Sequence, residues 1–162
     1  MLRILAILGG VSGAVALSQF PEFSQQYLQR LAGEVDALTA VAVQFDATAT
    51  VHGLTRETAL AAMTGSPVLT DQQADMRATL ARQVRLSENL SQLRAASPLE
   101  RLTMPQRFGD VGTLQATYAD FKPAVPATTD GAITASLGYF GGWAVVGLLG
   151  RMVATMFRRR TV

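Results

Sequence analysis

His52 is the only histidine in the chain, and there are no cysteines. No His–His pair can therefore clasp a metal, and thiolate–zinc, iron–sulfur and thiol-nucleophile chemistry are excluded outright. His52 precedes Gly53 at an expected helix end, where a cationic side chain suits the negative end of the helix dipole, so its role reads as structural. Asp71 and Asp75 stand one helical turn apart and could offer oxygens to a hard cation, but no second pair of ligands accompanies them. Glu34-x-Asp36 and Glu57 read as solvated surface charges. Serine and threonine abound, yet neither a G-x-S-x-G elbow nor an S-x-x-K nucleophile motif is present. Arg77, Arg82, Arg85 and Arg94 could form a basic strip on one helix, although interspersed acids argue against nucleic acid. The residues predict no catalytic site, no metal and no cofactor.

The elements that carry these residues are organised around two apolar stretches at opposite ends, Leu2–Leu17 and Ala132–Gly150. The second has no charged residue, and its 19 residues give a helix about 28 Å long, close to one hydrocarbon core. The first reaches only about 24 Å, so it must thin the bilayer, lean on Phe20 and Phe23, or continue as helix past Pro21. It also resembles a secretory signal peptide, because Arg3 gives a basic start and Ala14-Val15-Ala16 forms an A-x-A cleavage site. An uncleaved anchor is expected, with cleavage after Ala16 as the alternative.

Charge sets the expected orientation. Five of the fourteen Lys and Arg residues (Arg3, Arg151, Arg158, Arg159 and Arg160) lie at the two ends, which leaves nine against all twelve carboxylates in Ser18–Gly131. Basic residues flanking a span are retained in the cytoplasm, so both termini are expected there and the middle is expected to be periplasmic. The sequence pI near 9.5 is then a flanking-charge effect. The arginine cluster 158–160 reads as a topology anchor more readily than as an anionic-lipid site. The expected domains are a first transmembrane helix over 1–17, a periplasmic helical region over 18–131, a second transmembrane helix over 132–157 and a basic cytoplasmic tail over 158–162.

Both spans carry small residues four apart. Gly9 and Gly13 form one GxxxG pair and Gly138 and Gly142 another, a pattern that lets helix backbones approach closely in lipid. With Trp143 they are the candidate helix-packing or partner residues. Trp143 lies near the middle of its span rather than at headgroup level. It either fills the groove opposite Gly9, Gly10 or Gly13, or meets another membrane subunit.

No strand pattern survives in Ser18–Gly131. Leu28, Leu31, Val35, Leu38, Ala42, Phe45 and Ala49 alternate steps of three and four, which predicts a heptad-patterned helix from about Pro21 to Thr50, stopped at His52-Gly53. Thr55–Met63 reads as a short helix. A capping box at Thr70-x-x-Gln73 should open a helix running to about Ala96, with Met76, Leu80, Val84, Leu90 and Leu93 on its apolar side. Pro98–Leu102 makes one turn, Val111, Leu114, Tyr118 and Phe121 define a last short helix, and Lys122–Gly131 is an extended collar. The expected fold is all-α: two transmembrane helices flanking a periplasmic helical hairpin or bundle with a long heptad helix, or, in competition, self-association through that helix.

Gln19-Phe20-Pro21-Glu22-Phe23 with Gln26-Tyr27-Leu28-Gln29-Arg30-Leu31, and Pro123-Ala124-Val125-Pro126 with Asp130-Gly131 and Gly138-Tyr139-Phe140-Gly141-Gly142-Trp143, resemble the two membrane junctions of a proteobacterial inner-membrane family catalogued as a domain of unknown function. The resemblance implies a two-span envelope protein and transfers no functional residue. The expected function is a non-catalytic accessory, assembly or scaffold subunit of a larger inner-membrane complex. Its partners would be the lipid bilayer and other membrane subunits or a second copy. The alternative is a periplasmic helical sensor acting through a partner, since Met152–Val162 is too short for an output domain; an enzyme ranks below both.

Overall fold

The structure is a computed structural model that describes residues 2–123 and 129–158. The described residues form seven α-helices and no strand: α1 Leu2–Ser18, α2 Phe20–Val51, α3 Arg56–Ala62, α4 Pro67–Ala95, α5 Pro98–Arg101, α6 Val111–Asp120 and α7 Thr129–Arg158, with a 3-10 turn at Pro105–Phe108. The all-α class, the two long apolar helices and the long heptad helix are as the residue pattern predicts. Residues 124–128 of the expected collar lie outside the described residues, as do 159–162 of the basic tail. Thr129 already opens α7, so Asp130 and Gly131 are helical rather than extended.

The chain divides into two compact units. The first comprises Met1–Gln26, Pro98–Thr103 and Asp120–Val162, the second Tyr27–Ser97 and Met104–Ala119.

In the first unit α1 packs along α7, and two helices are long and apolar enough to cross a membrane. A soluble core helix of that composition would be mostly buried, whereas only 17% and 11% of the two apolar windows are. Pro21 does not stop the first one. Gln19 donates to the Ala16 carbonyl at 3.4 Å and Phe23 to the Gln19 carbonyl at 2.9 Å, a tightened turn that carries the helix across the proline with one ladder bond missing. Of the three ways open to the first apolar stretch, helix continuation past Pro21 is present in the chain.

In the second unit the heptad seam is the buried face of α2: Leu28, Leu31, Val35, Ala42 and Ala49 are all inside. Ala42 clusters with Leu60 of α3 and Leu80 of α4, with Phe45, Met63 and Met76 closing the edges. Gln83 of α4 donates to Thr39 of α2 at 3.1 Å beside that cluster. Helix α2 ends where Gly53 takes a φ of 68°, letting Leu54 donate to the Ala49 carbonyl at 2.9 Å.

Three expectations are corrected here. Helix α4 starts at Ser66-Pro67, not Thr70: Pro67 brings a preset φ to the first turn, and the Ser66 hydroxyl accepts from the Leu69 amide at 3.3 Å. Gln73, freed from any capping box, donates instead to the Leu60 carbonyl. On α4 Leu86 is buried and Val84 exposed, because three-residue steps from Leu80 and Gln83 to Leu86 follow the face that meets α2. On α6 the buried pair is Thr113 and Thr117, while Val111 and Tyr118 point outward, Tyr118 at 77% exposure. Polarity masked that face, since each threonine satisfies its hydroxyl locally.

Candidate functional site

The glycines of α1 and α7 face each other. A β-carbon on Gly13 would overlap the carbonyl oxygen of Gly138, and one on Gly138 would overlap the carbonyl oxygen of Gly13. One turn along, Gly142 meets the Gly9 carbonyl in the same way. Backbone therefore rests on backbone, which no residue larger than glycine allows without pushing the helices apart. Flanking the seam, a β-carbon on Gly10 would lie 2.9 Å from the Tyr139 carbonyl oxygen, and one on Gly9 would strike the Val146 side chain. The face continues along α7 through Gly131 and Thr134, both buried. The Thr134 hydroxyl donates back to the carbonyls of Asp130 and Gly131 at 2.9 and 3.0 Å, and that of Ser18 to Val15 at 2.8 Å, so neither polar group is stranded. Gly141 and Gly147 have open space where a β-carbon would go.

Trp143 does not fill the glycine groove. Val146 and Tyr139 occupy that role, and the indole is half exposed. It lines a cavity of about 440 Å³ with Ala6, Gly147, Leu148 and the two arginines Arg3 and Arg151. In the same unit Phe23 and Phe121 meet edge to face at 5.5 Å, and Arg101 is buried, its Nη1 3.5 Å from the Ser24 hydroxyl; desolvation pushes the Arg101 pKa down.

Charged residues of the second unit hold helices together. Arg82 reaches Glu34 on α2 at 2.6 Å and grips both oxygens of Asp110 at 3.0 and 3.1 Å. Asp110 in turn caps α6, accepting the Thr113 amide at 3.1 Å and its hydroxyl at 2.9 Å. Hydrogen bonds from Arg82 first, and then from Thr113, hold the Asp110 carboxyl at about 2, while Arg82 is raised by the same pairing. Tyr27, buried against Phe108 with ring centroids 4.7 Å apart, is pushed up to about 12 by desolvation and then by the Asp110 charge. Arg56 pairs with Asp46, holding that carboxyl below its ordinary value, and Arg77 reaches Glu57 at 2.9 Å.

The expected basic strip is thereby divided, since Arg77 and Arg82 are spent on carboxylates. Glu57 is the exposed surface charge expected and also pairs with Arg77, while Glu34 is half-buried in its pair with Arg82. His52, Asp71 and Asp75 are exposed, and among the described residues no group of carboxylates and histidines could hold a metal. Sequence reasoning missed Ala6, Tyr139, Val146 and Thr134 on the helix contact and Asp110 as the hub of the ion network. Ala6 and Gly10 are themselves small residues four apart, and that signal was available. Asp110 two residues after Phe108 announces only a helix cap; its grip on Arg82, 28 residues away, has no local trace.

Residues 1–159 match the model of a family described as a protein of unknown function (DUF2937). No curated protein and no solved structure matches the chain.

Proposed function

The chain belongs to the DUF2937 family, and we propose that it serves as a non-catalytic inner-membrane subunit that presents its helical middle to a larger membrane complex. In this reading both termini are cytoplasmic, α1 and α7 cross the bilayer as a pair, and the second unit is periplasmic. The basic ends and the net-acidic middle support that orientation. Retention of α1 is supported by the seam itself: cleavage after Ala16 would remove Gly9 and Gly13 and leave Gly138 and Gly142 facing nothing.

One observation carries the partner. Between Ala37 and Val51, α2 holds a single charged residue, Asp46, and that one is engaged by Arg56. Its inward side is covered by α3 and α4, yet Val43 and Val51 on the outward side are 61% and 82% exposed, with Ala37, Ala40, Val41 and Ala47 also exposed. Exposed valines and alanines, with Gln44, Thr48 and Thr50 among them, make a weakly polar outward face that suits contact with a second surface of protein. The groove by Arg56, Leu60 and Arg77, at about 220 Å³, is below the range of about 300–1,000 Å³ for ligand sites and lends the sensor alternative no support.

Affinity isolation from native membranes tests the reading. The full chain should bring along a defined set of membrane proteins that Val43→Glu loses, while the variant stays folded. A lone monomer under several mild detergents contradicts it.

A further inference from the structure

We propose that the cavity between α1 and α7 seats an acidic phospholipid, its acyl chain against Trp143 and its phosphate between Arg3 and Arg151. The inference rests on the membrane-spanning reading and goes beyond it. The cavity exists because small residues line it: Ala6 is buried at one wall, and Gly147 has open space where a side chain would stand. Trp143 and Leu148 supply apolar wall, and at about 440 Å³ the volume falls within the range of about 300–1,000 Å³ typical of ligand sites.

Charge selects the occupant. Arg3 comes from the start of α1 and Arg151 from the far part of α7, yet both line one cavity. Among the described residues neither is paired with a carboxylate. Two guanidinium groups lining one cavity repel each other, an anion between them relieves that repulsion, and phosphate oxygens suit the guanidinium fork. Both belong to the ends expected in the cytoplasm, where basic pockets between spans bind anionic headgroups. A zwitterionic lipid brings no net charge to the pair. Inorganic phosphate leaves the indole and the leucine wall without a partner.

Native mass spectrometry of the full chain in mild detergent, with phosphatidylglycerol and phosphatidylethanolamine of matched acyl chains, tests the seat. The account predicts retention of the acidic lipid about tenfold over the zwitterionic one. R3Q/R151Q should abolish the preference, and so should Gly147→Leu, which fills the cavity and leaves every charge in place. Changing Arg158, Arg159 and Arg160 together to Gln should preserve it, and inorganic phosphate should not displace the lipid. Equal retention of the two lipids overturns the proposal, as does a preference that survives either cavity variant, vanishes with the 158–160 variant or yields to phosphate. Carbonate extraction is read alongside: a chain that stays integral without lipid preference sinks this site alone, whereas an extracted chain sinks the membrane reading.

Discussion

At Gly138 the position a β-carbon would take is already held by the Gly13 carbonyl oxygen, while at Gly141 it is empty. The two glycines are three residues apart on one helix and should respond oppositely. Gly138→Ala is expected to cost about 1–3 kcal/mol, the range for forcing extra atoms into a packed contact, and Gly141→Ala less than about 0.5 kcal/mol. Reversible unfolding in mixed micelles measures both. Asp110 supplies a pH test. Its folded pKa of about 2 lies below the ordinary value of 3.8, so its contribution is complete above the ordinary value and is lost as pH falls through the folded one. Stability should decline over that interval, and Asp110→Asn should flatten the decline while costing about 1–2 kcal/mol at neutral pH. Tyr27 gives the converse at high pH. Its raised pKa of about 12 means its contribution holds below the ordinary 10.0 and is lost as pH rises through the folded value, a decline that Tyr27→Phe should remove.

Helix α4 opens at a cap that the sequence reading placed four residues too late. Thr70 reads as the cap, but it is the Ser66 hydroxyl that accepts a helix amide; the Thr70 hydroxyl donates to the Ser66 carbonyl at 3.2 Å. Ser66→Ala should therefore lower stability by about 1 kcal/mol and Thr70→Ala by distinctly less, read from thermal unfolding by circular dichroism. Periodicity made α2 legible, because its steps of three and four need no knowledge of the partner helix, and Leu31 and Ala42 are buried as the spacing requires. The glycine pairs were legible as motifs, since only four-residue spacing makes a flat face. What was not legible depends on partners distant in sequence. Thr117 is buried because its hydroxyl bonds to Thr113 at 2.7 Å, so a polar residue can face inward where an apolar pattern would have placed Tyr118. Of the two places open to Trp143, the groove is taken for a related reason: spacing defines the glycine groove, but Val146 fills it.

For the whole molecule, the glycine seam joins α1 to α7, and α2 between them carries exposed valines and alanines along one face. These features belong together if the bilayer surrounds the first unit and a protein partner meets the second. The absence of native cysteines makes that arrangement directly measurable. Single cysteines introduced at Thr64, in the exposed turn after α3, and at Thr161 can be challenged with a membrane-impermeant maleimide in intact spheroplasts. The account predicts that Thr64→Cys is labelled at once and Thr161→Cys only after permeabilisation. Protection of position 64 with labelling of position 161 would contradict the orientation, and labelling of both before permeabilisation would contradict the paired crossing on which the rest depends.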